Sequence, residues 1–199
     1  MKLINRIKFF ESYPFRPLSQ AQVDNLNFIL DKLDASESIT RLSEYAYVLA
    51  TIKHETADTF APVTERGSQK YLKSKPYYPY IGRGYVQLTW KWNYEKFGKL
   101  LNIPLADNPA LANEPETAWR VLELGMTKGL FTGKKLGDYF KTLPPSNLPP
   151  KEGDALNGEG HDLMDFYNAR RIINGLDCAG LIQAYAEKYY SILSFDENE

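Results

Sequence analysis

Two glutamates ten positions apart, Glu55 and Glu65, are the residues whose type and spacing best suit acid–base chemistry. Glu55 ends a stretch of helical periodicity that includes Ile52, whereas Glu65 follows the break introduced by Pro62. The two carboxyl groups therefore belong to different elements and can face each other across a cleft. In such a pair, one protonated carboxyl acts as a general acid and one carboxylate acts as a general base. Taken singly, each glutamate is more typical of a solvated surface position.

The elements that must position this pair are predicted to be mainly helical, because apolar residues recur at helical spacing. Ser19 and Gln22 form a capping box at one helix start, and Pro115 suits the first position of another helix. A short strand is predicted over 85–89, and a long loop over 141–161. The predicted helices cover approximately residues 3–10, 20–33, 39–55, 90–101, 115–126, 162–173 and 179–195.

The organisation predicted from these elements is a single domain over 1–199. The helices within residues 1–35 are expected to pack on the main body, since their apolar faces need a partner. The irregular segment from Gly67 to Tyr80 is expected to form one wall of the cleft.

Composition limits the kinds of binding partner that we expect and the cellular compartment in which the protein folds. A net charge of -1 lacks the basic surplus typical of nucleic-acid binding, so no nucleic-acid partner is expected. The single cysteine, Cys178, permits no intrachain disulfide and suits folding in a reducing compartment. The N-terminal residues form no signal peptide, and no apolar run has the length of a membrane span. We therefore expect a monomer without membrane anchoring, cytoplasmic in the producing cell, which reaches any outside substrate after release.

Metal and cofactor sites are not expected either. The only histidines are His54 and His161, and the chain offers no metal-ligand spacing around them. Gly82-Arg83-Gly84 lacks the third glycine and the strand-to-helix context of a phosphate-binding loop. The chemistry is therefore expected to depend on side chains alone.

Five blocks, taken in order, resemble the signature of family 19 glycoside hydrolases, the chitinase-like enzymes and related bacteriophage endolysins. The resemblance spans about residues 40–195 and implies a lysozyme-like superfamily α+β fold, with a small β element and a cleft between two helical lobes. The blocks are His54-Glu55-Thr56, Thr64-Glu65-Arg66-Gly67, Gly82 to Trp90 with Asn93-Tyr94, Asn108 to Ala112, and Ile172-Ile173-Asn174-Gly175 with Asp177-Cys178.

The resemblance implies a role for each matched residue. Glu55 corresponds to the general acid, Glu65 to the general base that activates water, and Thr89 to a residue that helps to hold this water. The family mechanism is inversion, which requires carboxyl groups roughly 6.5–9.5 Å apart. Asp177 falls near an acidic residue that supports the acid, at a shorter spacing, and Arg66 is a possible cationic support. Contact with the substrate is expected for Gln87, Asn93, Tyr94, Asn174, Tyr85 and Arg170, of which Arg170 is also a possible cationic support.

The chain departs from the plant members of the family, because their disulfide cysteines are missing and its loops are shorter. A more open cleft favours peptidoglycan as substrate and the lysis enzyme of a phage or prophage as the class. A chitinase is the alternative within the same chemistry. A non-catalytic glycan-binding module, or a secreted antibacterial toxin with an immunity partner, is the alternative from another class.

Overall fold

The computed structural model describes residues 3–142 and 162–196. Two small antiparallel sheets accompany the helices, one pairing β1 with β2 and the other β3 with β4. The predicted fold, mainly helical with a small β element, is confirmed. The helices are α1 (Arg6–Glu11), α2 (Gln20–Ala35), α3 (Leu42–Glu55), α4 (Gln69–Lys73), α5 (Lys91–Leu101), α6 (Pro115–Lys128), α7 (Leu136–Tyr139), α8 (Phe166–Ala169) and α9 (Ala179–Ile192), with 3-10 turns at Pro109–Asn113 and Arg170–Ile172. The strands are β1 (Val63–Thr64), β2 (Arg83–Gly84), β3 (Phe140–Thr142) and β4 (Asp162–Met164).

Helix α3 runs through the centre of the core. Every residue from Ser43 to Lys53 is buried, and the helix packs along α9. A helix surrounded by protein on all sides needs apolar, aromatic or small residues around its circumference, and the buried stretch consists of such residues apart from Glu44 and Lys53. Leu42 at its start, and His54 and Glu55 at its end, are half-buried. The core thus carries Glu55 to the surface on a rigid element.

The N-terminal helices are tied to the rest of the chain. The predicted capping box is present, since Ser19 N–H donates to Gln22 Oε1 at 2.9 Å and Gln22 N–H donates to Ser19 Oγ at 3.4 Å. The apolar face predicted for the first helix is partly wrong, because Ile7 is 73% exposed. Helix α1 begins only at Arg6, so Ile4 is buried in an extended segment that forms a bridge with Phe195.

The predicted strand over 85–89 is wrong. The chain reverses after Gly84, so that Leu88 and Arg83 exchange backbone hydrogen bonds of 2.8 and 3.2 Å. Gly84 has a φ of 84°, and a Cβ there would lie 2.9 Å from the carbonyl oxygen of Ala112. Glycine at this position permits both the left-handed backbone and the close approach. The apolar alternation therefore belongs to a buried turn.

The single helix predicted over 162–173 is also wrong. Residues Asp162–Met164 form β4, paired with β3, and a new helix starts after them. The side chain of Asp165 accepts a hydrogen bond from Asn168 N–H at 3.0 Å and caps this start. The predicted loop over 141–161 lies outside the described residues from position 143 onward, and its first two residues continue β3.

Candidate active site

Glu55 forms a buried ion pair with an arginine far along the chain. Arg170 Nη1 donates to Glu55 Oε1 at 2.7 Å, and the two side chains are 3% and 15% exposed. Arg170 Nε also donates to the backbone carbonyl of Asp177 at 2.9 Å. The guanidinium is therefore held at two points, and it orients one oxygen of Glu55 while the carboxyl group remains partly open to solvent.

The turn that follows Glu55 is shaped by unusual backbone angles. Ala57, Asp58 and Phe60 have φ values of 49°, 69° and 55°. Thr56 stabilises the turn, since its hydroxyl donates to Ile52 O at 2.7 Å and accepts from Phe60 N–H at 3.1 Å. Non-glycine residues with positive φ persist only where the surroundings hold them. This turn determines where the chain leaves α3 on its way to Glu65.

The carboxyl group of Glu65 is bound at both oxygens. The Tyr77 hydroxyl donates to Oε1 at 2.9 Å, and Gly82 N–H donates to Oε2 at 3.1 Å. The backbone is fixed as well, because Glu65 N–H donates to Gly82 O at 2.7 Å. Glu65 thus has its orientation set by the β1–β2 hairpin, whereas its neighbour Arg66 is exposed.

Three of the predicted residues form a hydrogen-bonded group beside this hairpin. Gln87 Nε2 donates to Val63 O in β1 at 2.9 Å, and Gln87 has a φ of 52°. The Thr89 hydroxyl donates to Gln87 O at 2.7 Å, and Asn93 Nδ2 donates to Thr89 O at 2.9 Å. Hydrogen bonds therefore join Gln87, Thr89 and Asn93 to one another and to β1, the strand that directly precedes Glu65, and all four residues are half-buried.

Two residues expected to contact the substrate are in the core instead of on a surface. Tyr85 is 1% exposed and Tyr94 is 0% exposed, so neither ring presents area to a ligand in this structure. The Tyr94 hydroxyl donates to Ile81 O at 2.7 Å and accepts from Arg83 Nη1 at 3.0 Å. Burial, the larger effect, raises the pKa of Tyr94 in spite of Arg83. Tyr94 therefore fixes Ile81 and Arg83 from the interior, and Tyr85 packs in the core.

The remaining predicted residues lie around Arg170. Asn174 is exposed, and its backbone N–H donates to Arg170 O at 3.0 Å. Arg170 itself is nearly inaccessible, so its position suits the cationic support of Glu55 and leaves little surface for substrate contact. Asp177 reaches Arg170 through its backbone carbonyl. Glu55, Arg170, Asn174 and Asp177 thus form a second group, at the end of α3.

The sequence reasoning did not identify Tyr77 as a partner of Glu65. Tyr77 stands among several tyrosines and prolines between positions 71 and 80, and nothing in that composition distinguishes it from its neighbours. Its hydroxyl reaches Glu65 only because the segment after α4 folds back toward β1. The predicted wall from Gly67 to Tyr80 therefore contains a short helix and a direct contact with the proposed base.

Within residues 3–142 and 162–196, no group of three histidine, cysteine, aspartate or glutamate side chains is placed to bind a metal ion. Over the same ranges, none of the helices has both the length and the hydrophobicity needed to cross a bilayer.

The fold is similar to that of a solved structure. Chitinase C of Streptomyces griseus shares it with a TM-score of 0.53 at 20% sequence identity, over 94% of this chain and 75% of that one. No profile of a known protein family matches the chain.

The curated relatives are plant enzymes. An endochitinase of Arabidopsis thaliana is 34% identical over 94 residues, which are 44% of this chain and 33% of that protein. Endochitinase 1 of Theobroma cacao is 33% identical over 104 residues, 42% of this chain and 32% of the other. The chain thus spans about a third of the length of these relatives. Similarity to chitinases in both sequence and fold agrees with the family 19 resemblance.

Proposed function

We propose that the protein is a glycoside hydrolase that cleaves β-1,4 bonds between amino sugars, with Glu55 as general acid and Glu65 as general base. The observation that carries this proposal is the contrast between the two carboxyl groups. Glu55 ends a buried helix with one oxygen on Arg170, whereas Glu65 lies on a separate hairpin with both oxygens bound by neutral donors. Two carboxyl groups in different surroundings suit two different roles.

The contact with Arg170 indicates which oxygen of Glu55 transfers the proton. Oε1 accepts from the guanidinium, so Oε2 is the oxygen left to carry the acidic proton. When the proton leaves, negative charge develops on a carboxylate that already contacts a cation. The contact between Glu55 and Arg170 is therefore stronger after transfer than before it, which lowers the barrier to this step.

The network beside β1 is suited to holding a water molecule. Glu65 accepts its proton, and the Thr89 hydroxyl, which donates to Gln87 O, keeps lone pairs that accept a hydrogen bond from the same water. Asn93 binds the Thr89 carbonyl and limits its movement. Inversion further requires roughly 6.5–9.5 Å between the carboxyl groups of Glu55 and Glu65, to leave room for this water.

Peptidoglycan is the substrate that we propose, in the manner of an endolysin. The basis is the sequence: loops shorter than those of the plant enzymes leave a cleft able to admit a branched polymer. The protein is then a monomer, made in the cytoplasm, that acts on the cell wall after release. Chitin is the second candidate, because the curated relatives are named endochitinases.

The test is digestion of purified peptidoglycan and of a soluble chitin oligomer by wild type, Glu55→Gln and Glu65→Gln, with mass analysis of the products. Both variants should lose activity by at least about a hundredfold, the usual contribution of one acid or base. Glu11→Gln, at an exposed position in α1, is the matched control and should keep full activity. Equal product from wild type and Glu55→Gln would disprove the assignment.

Two further measurements refine the proposal. The ratio of peptidoglycan to chitin cleavage decides between the two substrates. NMR of the first product decides the stereochemistry, since a β anomer from a β bond would show retention and contradict the proposed water position.

A further inference from the structure

A buried lysine lies two residues before the proposed acid. Lys53 is 5% exposed, and its ammonium group forms an ion pair with the carboxylate of Asp58. The rings of Phe15 and Tyr185 also face this ammonium group, with Nζ 4.1 and 5.1 Å from the ring centroids. A buried charge is costly unless it has a counter-charge and further partners. The position of Lys53 is therefore set by one carboxylate and by the aromatic rings around it.

Asp58 binds Lys53 through its backbone as well as through its side chain. Asp58 N–H donates to Lys53 O at 2.9 Å, and the Asp58 carboxylate accepts from the Lys53 ammonium group. Asp58 has a φ of 69°, and a positive φ at a non-glycine residue persists only where the surroundings hold it. These two bonds close a ring of the chain that contains Glu55. The last turn of α3 and the direction in which the chain leaves Glu55 are thus fixed together.

The N-terminal part of the chain holds the other side of this turn. Gln22 Nε2 in α2 donates to Asp58 O at 2.7 Å, and Asn25 Nδ2 in the same helix donates to Thr59 O at 3.0 Å. Arg16, in the segment before α2, lies 3.3 Å from the second carboxylate oxygen of Asp58. Backbone carbonyls in an irregular turn need such partners, since no helix or sheet supplies them. All of these contacts come from residues that precede the stretch similar to family 19 enzymes.

The turn after α3 also leads directly to the proposed base. Helix α3 ends at Glu55, and the chain enters β1 at Val63, two positions before Glu65. A displacement of Asp58 therefore changes the path between the two carboxyl groups. A shift of a reacting group by about 1 Å can reduce the rate of an enzyme a hundredfold. The bonds to Asp58 thus bear on the geometry of both carboxyl groups.

Resting on the proposed function, we propose that Lys53 and Asp58 are positioning residues for the acid–base pair. Helix α2 takes part in this positioning through Gln22 and Asn25. Lys53 is too buried to touch a glycan, so its contribution to the reaction passes through the geometry of Glu55. The N-terminal helices then contribute to catalysis as well as to the core.

Steady-state kinetics test the proposal, with peptidoglycan or the chitin oligomer, whichever the wild type cleaves faster, at a temperature where every variant is folded. Asp58→Asn keeps the size of the side chain but removes its charge, so kcat should fall about tenfold with little change in KM. Asn25→Ala removes one bond to the turn and should lower kcat about threefold. The matched control is Asp24→Asn, at an exposed position of α2 where the carboxylate accepts from Gln20 at 2.8 Å, and it should leave kcat unchanged.

The double variant Lys53→Met with Asp58→Asn separates positioning from stability. It leaves no unpaired charge, so its urea midpoint should approach that of wild type. Its kcat should nevertheless stay about tenfold below the wild-type value, because the ring around Glu55 has lost its side-chain bond. A purely structural role would restore kcat together with stability. In hydrogen exchange, the Asp58 amide of the double variant should exchange about tenfold faster than in wild type, while the core amides of α3 keep their protection.

Three results would overturn the positioning role: wild-type kcat in the double variant, a rise in KM with unchanged kcat in Asp58→Asn, or unchanged exchange of the Asp58 amide in the double variant. The proposed function fails separately, if Glu55→Gln and Glu65→Gln cleave as well as wild type. Faster exchange of the Asp58 amide would still support, in that case, that Lys53 and Asp58 hold this turn.

Discussion

Replacing Arg170 with methionine removes the guanidinium that binds Glu55 and the backbone carbonyl of Asp177. Arg170 is 3% exposed, so water cannot take its place without opening the core, and the Glu55 side chain is 15% exposed. Methionine fills much of the space of the aliphatic part of arginine. The substitution therefore tests the charge contact more than the packing.

The expected loss in the free energy of unfolding of Arg170→Met follows from these exposed fractions. Removing one partner of a buried ion pair costs about 3–5 kcal/mol, since the remaining charge is left uncompensated. Partial exposure of Glu55 allows some hydration of its carboxylate, so we expect about 3 kcal/mol. Arg170→Met combined with Glu55→Gln leaves no unpaired charge and should recover about 2 kcal/mol of this loss.

The assay is urea unfolding at near-neutral pH, comparing midpoints at equal m-values. Arg171→Met is the matched control, because this neighbouring arginine is exposed and should change stability by less than about 0.5 kcal/mol. Wild-type stability in Arg170→Met, or a double variant no more stable than that single variant, would refute the reasoning.

Three other perturbations have defined outcomes. Gly84→Ala should cost about 2 kcal/mol in urea unfolding, because alanine is strained at a φ of 84° and its Cβ would lie 2.9 Å from Ala112 O; a midpoint equal to wild type would contradict this. Asp58→Asn tolerates the positive φ but leaves Lys53, 5% exposed, without its counter-charge, so thermal unfolding should show a loss of about 3 kcal/mol that Lys53→Met largely restores. Burial raises the pKa of Tyr45 to about 12, whereas an unfolded tyrosine ionises near pH ~10. The unfolded chain therefore loses this proton first as the pH rises. The stability that Tyr45 contributes is fully present below about pH 10 and is lost toward about pH 12. Tyr45→Phe should make the fall in urea midpoint shallower, and an unchanged slope would show that Tyr45 does not contribute.

Local signals in the sequence were enough to predict where several helices begin or end. Helical periodicity predicted a helix ending at Glu55, and the structure ends α3 at that residue. The capping box of Ser19 and Gln22 and the helix start at Pro115 were also confirmed. These features depend on backbone geometry and on residues within one or two helical turns, so a short stretch of sequence contains all the information they need.

Partners far apart along the chain were decided only by tertiary structure. Arg170 lies 115 positions from Glu55, and sequence reasoning left its role open between substrate contact and support. Tyr77 was missed because its hydroxyl reaches Glu65 only after the chain folds back, and Tyr94, expected at the cleft surface, is buried. The residues from 85 to 89 alternate like a strand but form a turn around Gly84 and Gln87. The sequence thus indicated which residue types could carry acid–base chemistry, whereas their contacts depend on how the core packs, which no local pattern encodes.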